Sequence, residues 1–169
     1  MDLPVLTISA MRGWLSQQMR FSTNIAGKEQ KNYTLLSKGD LSYNHGNSKF
    51  AKYGAVFELR TYETALVPRV YHSFKMIYRN DPMFIEYMFA TGLPNRELRK
   101  VVSSGARMDG LLNINYNSFT NIDIDIPCLE EQRNIADILD VLDVLIAANE
   151  RTKKIALSNS MRSSSHLLT

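Results

Sequence analysis

Residues 122–146 read IDIDIPCLEEQRNIADILDVLDVLI, and their hydrophobic period changes at Pro127. Before the proline, three isoleucines alternate with aspartates, which is the two-residue period of a half-buried β-strand. From Ile135 onward, apolar residues recur every three or four positions, which places them on one face of an α-helix. The sequence therefore predicts a folded domain, residues 1–127, followed by a long helical segment, residues 128–169.

The apolar stripe of the predicted helix is long enough to need a second surface. Residues 129–157 would form a helix of about 43 Å, which exceeds the radius of a domain of this size. An amphipathic helix often packs on its own domain, but this length and the near-heptad spacing favour a partner helix in a coiled coil. Asp140, Asp143 and Glu150 lie away from the seam. The residues predicted to form the dimer or subunit interface are Ile135, Ile138, Leu139, Leu142, Leu145 and Ile146.

The preceding domain is predicted to be mostly β, which makes the fold class α+β. Two short extended runs flank the turn-like residues 37–40 and predict a β-hairpin. Pro68 interrupts a later strand, whereas Asp81 and Pro82 have the composition of a capped helix start, and Gly92 ends that helix. The expected elements are strands at residues 3–9, 33–36, 41–44, 55–59 and 66–77, helices from Pro82 and Pro94, and a loop over residues 106–117.

Positive charge and aromatic residues are concentrated in the first half of the chain. The whole protein has 169 residues and a net charge of +3, but residues 1–80 contain 11 Lys or Arg against 5 Asp or Glu. The same residues contain 11 of the 16 aromatics. Basic residues mixed with aromatics are common on nucleic-acid-binding surfaces. An aromatic core beneath a solvated basic rim explains the composition slightly better when composition is considered alone.

No segment of the sequence is typical of a membrane protein or an exported protein. The longest apolar runs fall well short of the roughly 20 residues that cross a bilayer, and the N-terminus lacks the pattern of a signal peptide. The single cysteine, Cys128, cannot form an internal disulfide, and its position after the predicted strand favours packing over reactivity. We therefore expect a cytoplasmic protein that has no membrane partner.

The residue patterns of common enzymes and cofactor sites are missing from the sequence. There is no glycine-rich dinucleotide or methyl-donor fingerprint and no phosphate-binding loop. His45, His72 and His166 are not at zinc-binding spacing from each other or from Cys128. Ser103 and Ser104 lack the flanking glycines of a nucleophile elbow. We expect no cofactor, no metal and no catalytic residues.

Two polar loops on the β-rich domain are candidates for contact with DNA. Arg and Lys donate to phosphate oxygens, and Asn, Gln and Arg can also address base edges. Each of these residues alone is more often an ordinary surface residue, so the prediction depends on their grouping. The predicted DNA-binding residues are Arg12, Gln17 and Arg20 in the first loop, Tyr43, Asn44, His45, Asn47, Lys49 and Lys52 around the second, and Arg69, His72 and Arg107 elsewhere.

Several stretches in this order resemble the specificity subunits of type I restriction-modification systems. The most specific is the run of residues 122–146, with its apolar extended segment, proline, Glu-Gln pair and Leu-Asp helix. Upstream, residues 3–9, 39–44 and 105–112 resemble the target recognition domain of that family. The resemblance covers about residues 3–155.

The resemblance implies a non-catalytic DNA-recognition subunit. In this family a target recognition domain recognises one half of a bipartite DNA site, and the following helix pairs with a second helix as a spacer. The helices also dock the modification subunits, which methylate adenine, and the restriction motor-nuclease subunits join that complex. The expected partners are therefore double-stranded DNA, a modification subunit and, through the complex, a restriction subunit.

The resemblance leads us to expect a chain that has half of the elements of a full specificity subunit. It has one recognition domain and one helix where the family usually has two of each. A half-length subunit would pair with a copy of itself, or with another half subunit, and a C2 dimer would favour a symmetric bipartite site. The alternative is a truncated or silent specificity-subunit fragment that acts only as a coiled-coil interaction protein.

Overall fold

The computed structural model describes residues 3–17, 32–46, 49–102 and 111–166. These residues form an α+β fold in which small antiparallel sheets and short helices precede one long helix, as the sequence predicts. The strands are β1 (Leu6–Ser9), β2 (Gly13–Ser16), β3 (Tyr33–Ser37), β4 (Leu41–Asn44), β5 (Ala55–Glu58), β6 (Thr64–Pro68) and β7 (His72–Phe74). The helices are α1 (Pro82–Ala90), α2 (Asn95–Val101), α3 (Tyr116–Thr120) and α4 (Leu129–His166).

The strands form three sheets, and the predicted β3–β4 hairpin is wrong. Strand β3 pairs with β6, β1 pairs with β2, and β4 lies between β5 and β7, all antiparallel. The turn between β3 and β4 does form, since the Asp40 N–H donates to the Ser37 carbonyl at 2.9 Å. However, Gly39 and Asp40 both exchange backbone hydrogen bonds with Leu59, so the turn passes the chain from one sheet to the next.

The long strand expected over residues 66–77 is divided at Pro68. Strand β6 ends at this proline, and β7 begins at His72 in a different sheet. The Tyr71 N–H donates to the Pro68 carbonyl at 3.2 Å and closes the intervening turn. A proline cannot donate to a strand ladder, which is why the ladder ends here.

Two hydrophobic clusters hold the sheets and helices together. One lies between β1, β3 and β6 and includes Leu6, Ile8 and Leu36. The larger lies between the central β4 sheet and the helices, and it includes Tyr43, whose ring stacks on Phe119 at 4.3 Å between centroids. The Tyr43 hydroxyl donates to the Tyr53 carbonyl at 2.6 Å, and burial raises the pKa of this phenol above its ordinary value. Phe119 comes from α3, so this short helix completes the larger cluster.

The helix boundaries follow the capping residues in the sequence. The Asp81 carboxylate accepts from the Phe84 N–H at 2.9 Å, Pro82 is the first residue of α1, and Gly92 follows its end with φ +79°. Helix α3 begins inside the stretch predicted as loop. The Asn115 side chain caps it by accepting from the Ser118 N–H at 2.8 Å, a role that asparagine shares with turns.

The predicted strand over residues 122–126 is wrong, although its alternation is real. Ile122 and Ile124 pack on the larger cluster while Asp123 and Asp125 are exposed, but the segment pairs with no strand in the described part of the chain. It is an extended connection into α4. Cys128 is exposed at its end, so the expectation that this side chain packs in the interior is also wrong.

Helix α4 has 38 residues and is therefore about 57 Å long. Gln132 and Ala136 are buried against the β-rich part of the molecule, whereas residues 141–150 are all exposed. In the predicted seam, Ile138 is 62% exposed and Leu142 47% exposed, and Leu139 is half-buried. Across the described residues, no helix is apolar enough over a sufficient length to span a membrane.

Gly54 is a position where the fold requires glycine. Its φ is +82°, and a Cβ there would lie 2.5 Å from the Asn44 carbonyl oxygen and 2.6 Å from the Tyr43 ring. We expect Gly54→Ala to lower the free energy of unfolding by about 3 kcal/mol, through both backbone strain and the clash. Gly39→Ala is the matched control, since Gly39 has φ +87° but open space around it, and should cost only about 1 kcal/mol. Urea unfolding of both variants measures the difference, and equal costs would contradict this account of Gly54.

Candidate nucleic-acid interface

The β1–β2 turn and the loop before β5 line one cleft, and Lys52 is the one predicted DNA-binding residue in its lining among the residues that the structure describes. The β1–β2 turn contributes Met11, and the loop before β5 contributes Phe50 and Lys52. The end of α1 closes the other side, and the cleft has a volume of about 370 Å³. Met11 and Phe50 are both exposed on its rim, and an exposed aromatic ring such as that of Phe50 can stack on a base. Sequence reasoning missed these two residues because an isolated Met or Phe is usually a core residue.

Four of the predicted basic residues are exposed and carry uncompensated charge. Arg12, Lys49, Lys52 and Arg69 form no ion pair with any residue that the structure describes. The ammonium group of Lys52 lies 5.6 Å from the centre of the Tyr53 ring. Unpaired cations are the side chains that can neutralise phosphates without first breaking an ion pair.

Asn44 fixes the start of the second loop. Its side-chain nitrogen donates to the Ile8 carbonyl at 3.3 Å, and its side-chain oxygen accepts from the Gly46 N–H at 3.1 Å. The amide is half-buried. In this arrangement Asn44 connects the second loop to β1, which carries the first loop at its end.

Three other predicted DNA contacts have buried side chains. Tyr43 lies in the larger cluster, and Gln17 donates from its side-chain nitrogen to the Tyr33 hydroxyl at 3.1 Å. The ring nitrogens of His45 face the Val70 carbonyl at 2.7 Å and the Leu112 carbonyl at 3.0 Å. These side chains have almost no surface to offer to DNA in this conformation, and sequence spacing gave no sign of their burial.

His45 connects three loop segments. Besides the two ring contacts, its backbone carbonyl accepts from the Leu112 N–H at 2.8 Å, and Gly46 bridges to Leu111. The turn that contains Arg69 is therefore held beside the second loop and beside residues 111–112. Arg20, Asn47 and Arg107 lie outside the described residues.

His72 stacks on His45, with 4.6 Å between ring centres and 9° between planes. Its Nε2 lies 3.0 Å from the Ile114 carbonyl oxygen, which accepts the hydrogen bond. Burial lowers the pKa of His72 below its ordinary value; the bond to Ile114 opposes this shift, and repulsion from His45 adds to it. The neutral ring is therefore the form that the fold favours.

Sequence reasoning also missed a polar cluster that joins the β-rich part to α4. The cluster consists of Arg60, Glu86, Tyr87 and Asp140. It could not be predicted because the sequence around the first three residues does not distinguish them from ordinary surface residues. Burial raises the pKa of Glu86, and the Glu58 N–H and Arg60 partly oppose that shift. Burial and the hydrogen bond to Asp143 raise the pKa of Tyr87 to about 12. Within the described ranges, no group of three or more His, Cys, Asp or Glu side chains could hold a metal ion.

Comparison with protein families identifies the family to which the chain belongs. The family described as type I restriction modification DNA specificity domain matches residues 2–159 of the 169-residue chain. The chain belongs to this family. This match confirms the family resemblance predicted from residues 122–146 and from the upstream stretches. A search of curated proteins found no match to the sequence.

Membership in the family gives the chain its general role. A type I restriction-modification specificity domain recognises DNA, is non-catalytic and associates with the other subunits of the restriction-modification complex. The basic, exposed loops described above belong to such a domain.

The His72 pKa predicts how stability changes with pH. The folded-state pKa is lower than the unfolded value of about 6.5, so the unfolded state binds more protons as the pH falls through that value. The stability that His72 contributes is thus complete above about pH 7 and declines on acidification until the folded-state pKa is passed. His72→Gln lacks this titration. Urea unfolding of both proteins at about pH 7.5 and about pH 5 measures their free energies of unfolding. Wild type should exceed His72→Gln by a smaller amount at the lower pH. An unchanged difference between the two pH values would contradict the assigned shift.

Proposed function

We propose that the chain recognises one half of a bipartite DNA site and that α4 pairs with a second copy of itself to bring two half-sites together. In the same proposal, the paired helices dock the modification subunit, and the restriction subunit joins through that complex. Residues 1–127 would be the target recognition domain and residues 128–169 the spacer and docking helix. The proposal extends the family role to the arrangement of this particular chain.

The observation that carries the proposal is the division of α4 into different faces. Gln132, Ala136 and Asp140, at intervals of four residues, face the β-rich part of the molecule. At about 100° per residue, Leu142 lies about 120° around the helix from Ala136. The seam is therefore open to a second helix, while a different face of α4 contacts the domain. In a single chain the exposed apolar residues of the seam lie in water.

A further exposed stripe on α4 supports docking of another subunit. Val141, Val144 and Ile155 are each more than half exposed and lie outside the seam. A two-stranded helix pair covers one face of each helix, so these residues would remain free for a third contact. We assign this stripe to the modification subunit.

The exposed, unpaired cations of the described loops and turns are the proposed phosphate contacts. Arg12, Lys49, Lys52 and Arg69 take this role in the proposal, together with Arg20 and Arg107, which lie outside the described residues. Asn47 remains a predicted base contact on the second loop. Tyr43, His45 and Gln17 are left out of the direct contacts because their side chains are buried, and they take the role of supporting the loops.

Removing two of these cations should weaken DNA binding for all sequences. We expect Lys49→Ala combined with Lys52→Ala to reduce the salt dependence of binding by about one unit of slope for each phosphate that the variant no longer neutralises. Fluorescence anisotropy with a DNA duplex over a series of salt concentrations measures the slope.

The matched control for this double variant removes the same charge elsewhere. Lys38 and Lys100 are already paired with Glu63 at 3.1 Å and with Glu97 at 2.6 Å. Lys38→Ala with Lys100→Ala should therefore leave the slope nearly unchanged. Equal slopes for both double variants would remove the second loop from the proposed interface.

A charge in the seam should separate the proposed dimer. Leu142→Glu should reduce the mass found by sedimentation equilibrium from twice the 19.3 kDa of the chain to that of one chain, since two carboxylates would face each other in an apolar seam. Val144→Glu is the control, because Val144 is at least as exposed as Leu142 but lies on another face. A dimer that survives Leu142→Glu, or a wild type that is already monomeric, would reject this interface. A stable dimer without sequence preference for DNA would favour the interaction-only alternative.

A further inference from the structure

Helix α4 is attached to the β-rich part of the molecule at two separate points. At the first, the Gln132 side chain is 1% exposed and its Oε1 accepts from the Asp81 N–H at 2.9 Å. Its Nε2 donates to the Asn80 side-chain oxygen and to the Pro127 carbonyl, both at 2.9 Å. This amide connects the start of α4 to the start of α1.

The second point is centred on Arg60, which follows β5. Its Nε donates to Glu58 at 2.7 Å, and its Nη2 donates to Glu86 of α1 at 3.1 Å. Its Nη1 lies 3.5 Å from Asp140 of α4. One guanidinium therefore faces three carboxylates that come from a strand, a short helix and the long helix.

Tyr87 strengthens the second point from α1. Its hydroxyl lies 3.1 Å from the Asp143 carboxylate and 3.3 Å from the Asp140 carboxylate. Its ring also lies 5.9 Å from the Arg60 guanidinium. The second point thus extends over one turn of α4.

The separation of the two points fixes a direction as well as a position. Gln132 and Asp143 are about 16 Å apart along the helix. Ala136 lies between them and is completely buried, and its small side chain lets α4 approach the domain closely. A helix held at one point can pivot, whereas a helix held at two points about three turns apart cannot tilt without breaking one of them.

A small tilt would have a large effect at the far end of the helix. The part of α4 after Asp143 is about 35 Å long, so a tilt of about 10° displaces its end by about 6 Å. Neighbouring base pairs are about 3.4 Å apart. Such a tilt would change the separation of two paired recognition surfaces by about one to two base pairs.

We propose that Arg60 is a positioning residue that sets the spacer length of the DNA site, because it fixes the direction of α4 through Glu86 and Asp140. This inference rests on the proposed function, in which two copies pair through α4. Arg60 is partly exposed, with a side-chain exposure of 35%, and ion pairs of this kind contribute little to stability. We therefore expect the loss of Arg60 to release the second attachment point, and with it the direction of α4, more than it lowers the stability of the fold. Without its charge, Glu86 and Asp140 would repel each other across the joint.

The test compares spacer preference between Arg60→Gln and wild type. Half-sites that the 169-residue wild-type chain enriches from a randomised duplex pool are placed at separations that differ by one base pair. Wild type should prefer its best spacer over the neighbouring ones by about tenfold, because a wrong spacer requires deformation of DNA or protein. Arg60→Gln should reduce this ratio to about threefold or less with the same half-site sequence. Loss of fold alone would weaken all spacers equally.

Two further variants keep the test decisive. Arg60→Lys retains a cation among the three carboxylates and should restore part of the wild-type spacer preference. Tyr87→Phe removes only the hydroxyl that lies beside Asp140 and Asp143, so it should also broaden the spacer preference. If Arg60→Gln binds no DNA, the spacer preference of Tyr87→Phe shows whether the second attachment point sets the spacer length. An unchanged preference in the variants that bind would overturn the role of Arg60 and leave the proposed function intact. A wild type that enriches no bipartite site would instead reject the proposed function itself.

Discussion

The buried amide of Gln132 is the link on which the arrangement of the molecule depends. It bonds to the backbone at Asp81 and Pro127 and to the side chain of Asn80, so the chain entering α1 and the chain entering α4 meet at one side chain. Breaking such a bond inside the protein leaves buried polar groups without partners, which costs about 1–3 kcal/mol for each group. The position of the long helix is therefore tied to the folding of the β-rich part.

A second set of residues, buried at Tyr43 and His45 and half-buried at His72, supports the loops from beneath. His45, His72 and Tyr43 form a group of neighbouring rings, and ring nitrogens of the two histidines face the backbone carbonyl oxygens of Val70, Leu112 and Ile114. Lys49 and Lys52 lie on the loop that follows His45, and Arg69 lies on the turn that precedes His72. A rigid support beneath exposed binding residues is the arrangement that precise recognition requires.

The sequence predicted those parts of the structure whose signals are local. The period of α4 and the Asp81–Pro82 helix start are contained in a few neighbouring residues, and both were confirmed. The β3–β4 hairpin failed because a turn such as residues 37–40 serves equally well between two sheets. The strand at 122–126 failed because alternation reports a buried face but says nothing about a pairing strand. In the same way, the burial of His45 and the meeting of Arg60 with Asp140 depend on contacts between distant residues, which one sequence without its fold does not contain.

The central claim is that two copies of this chain occupy one DNA site, each on one half. Native mass spectrometry of the 169-residue chain, mixed in excess with a duplex that contains two of its half-sites, tests this claim most directly. The account predicts a complex of two chains and one duplex, and one chain on a duplex that has a single half-site. Saturation of the two-half-site duplex by a single chain would contradict it.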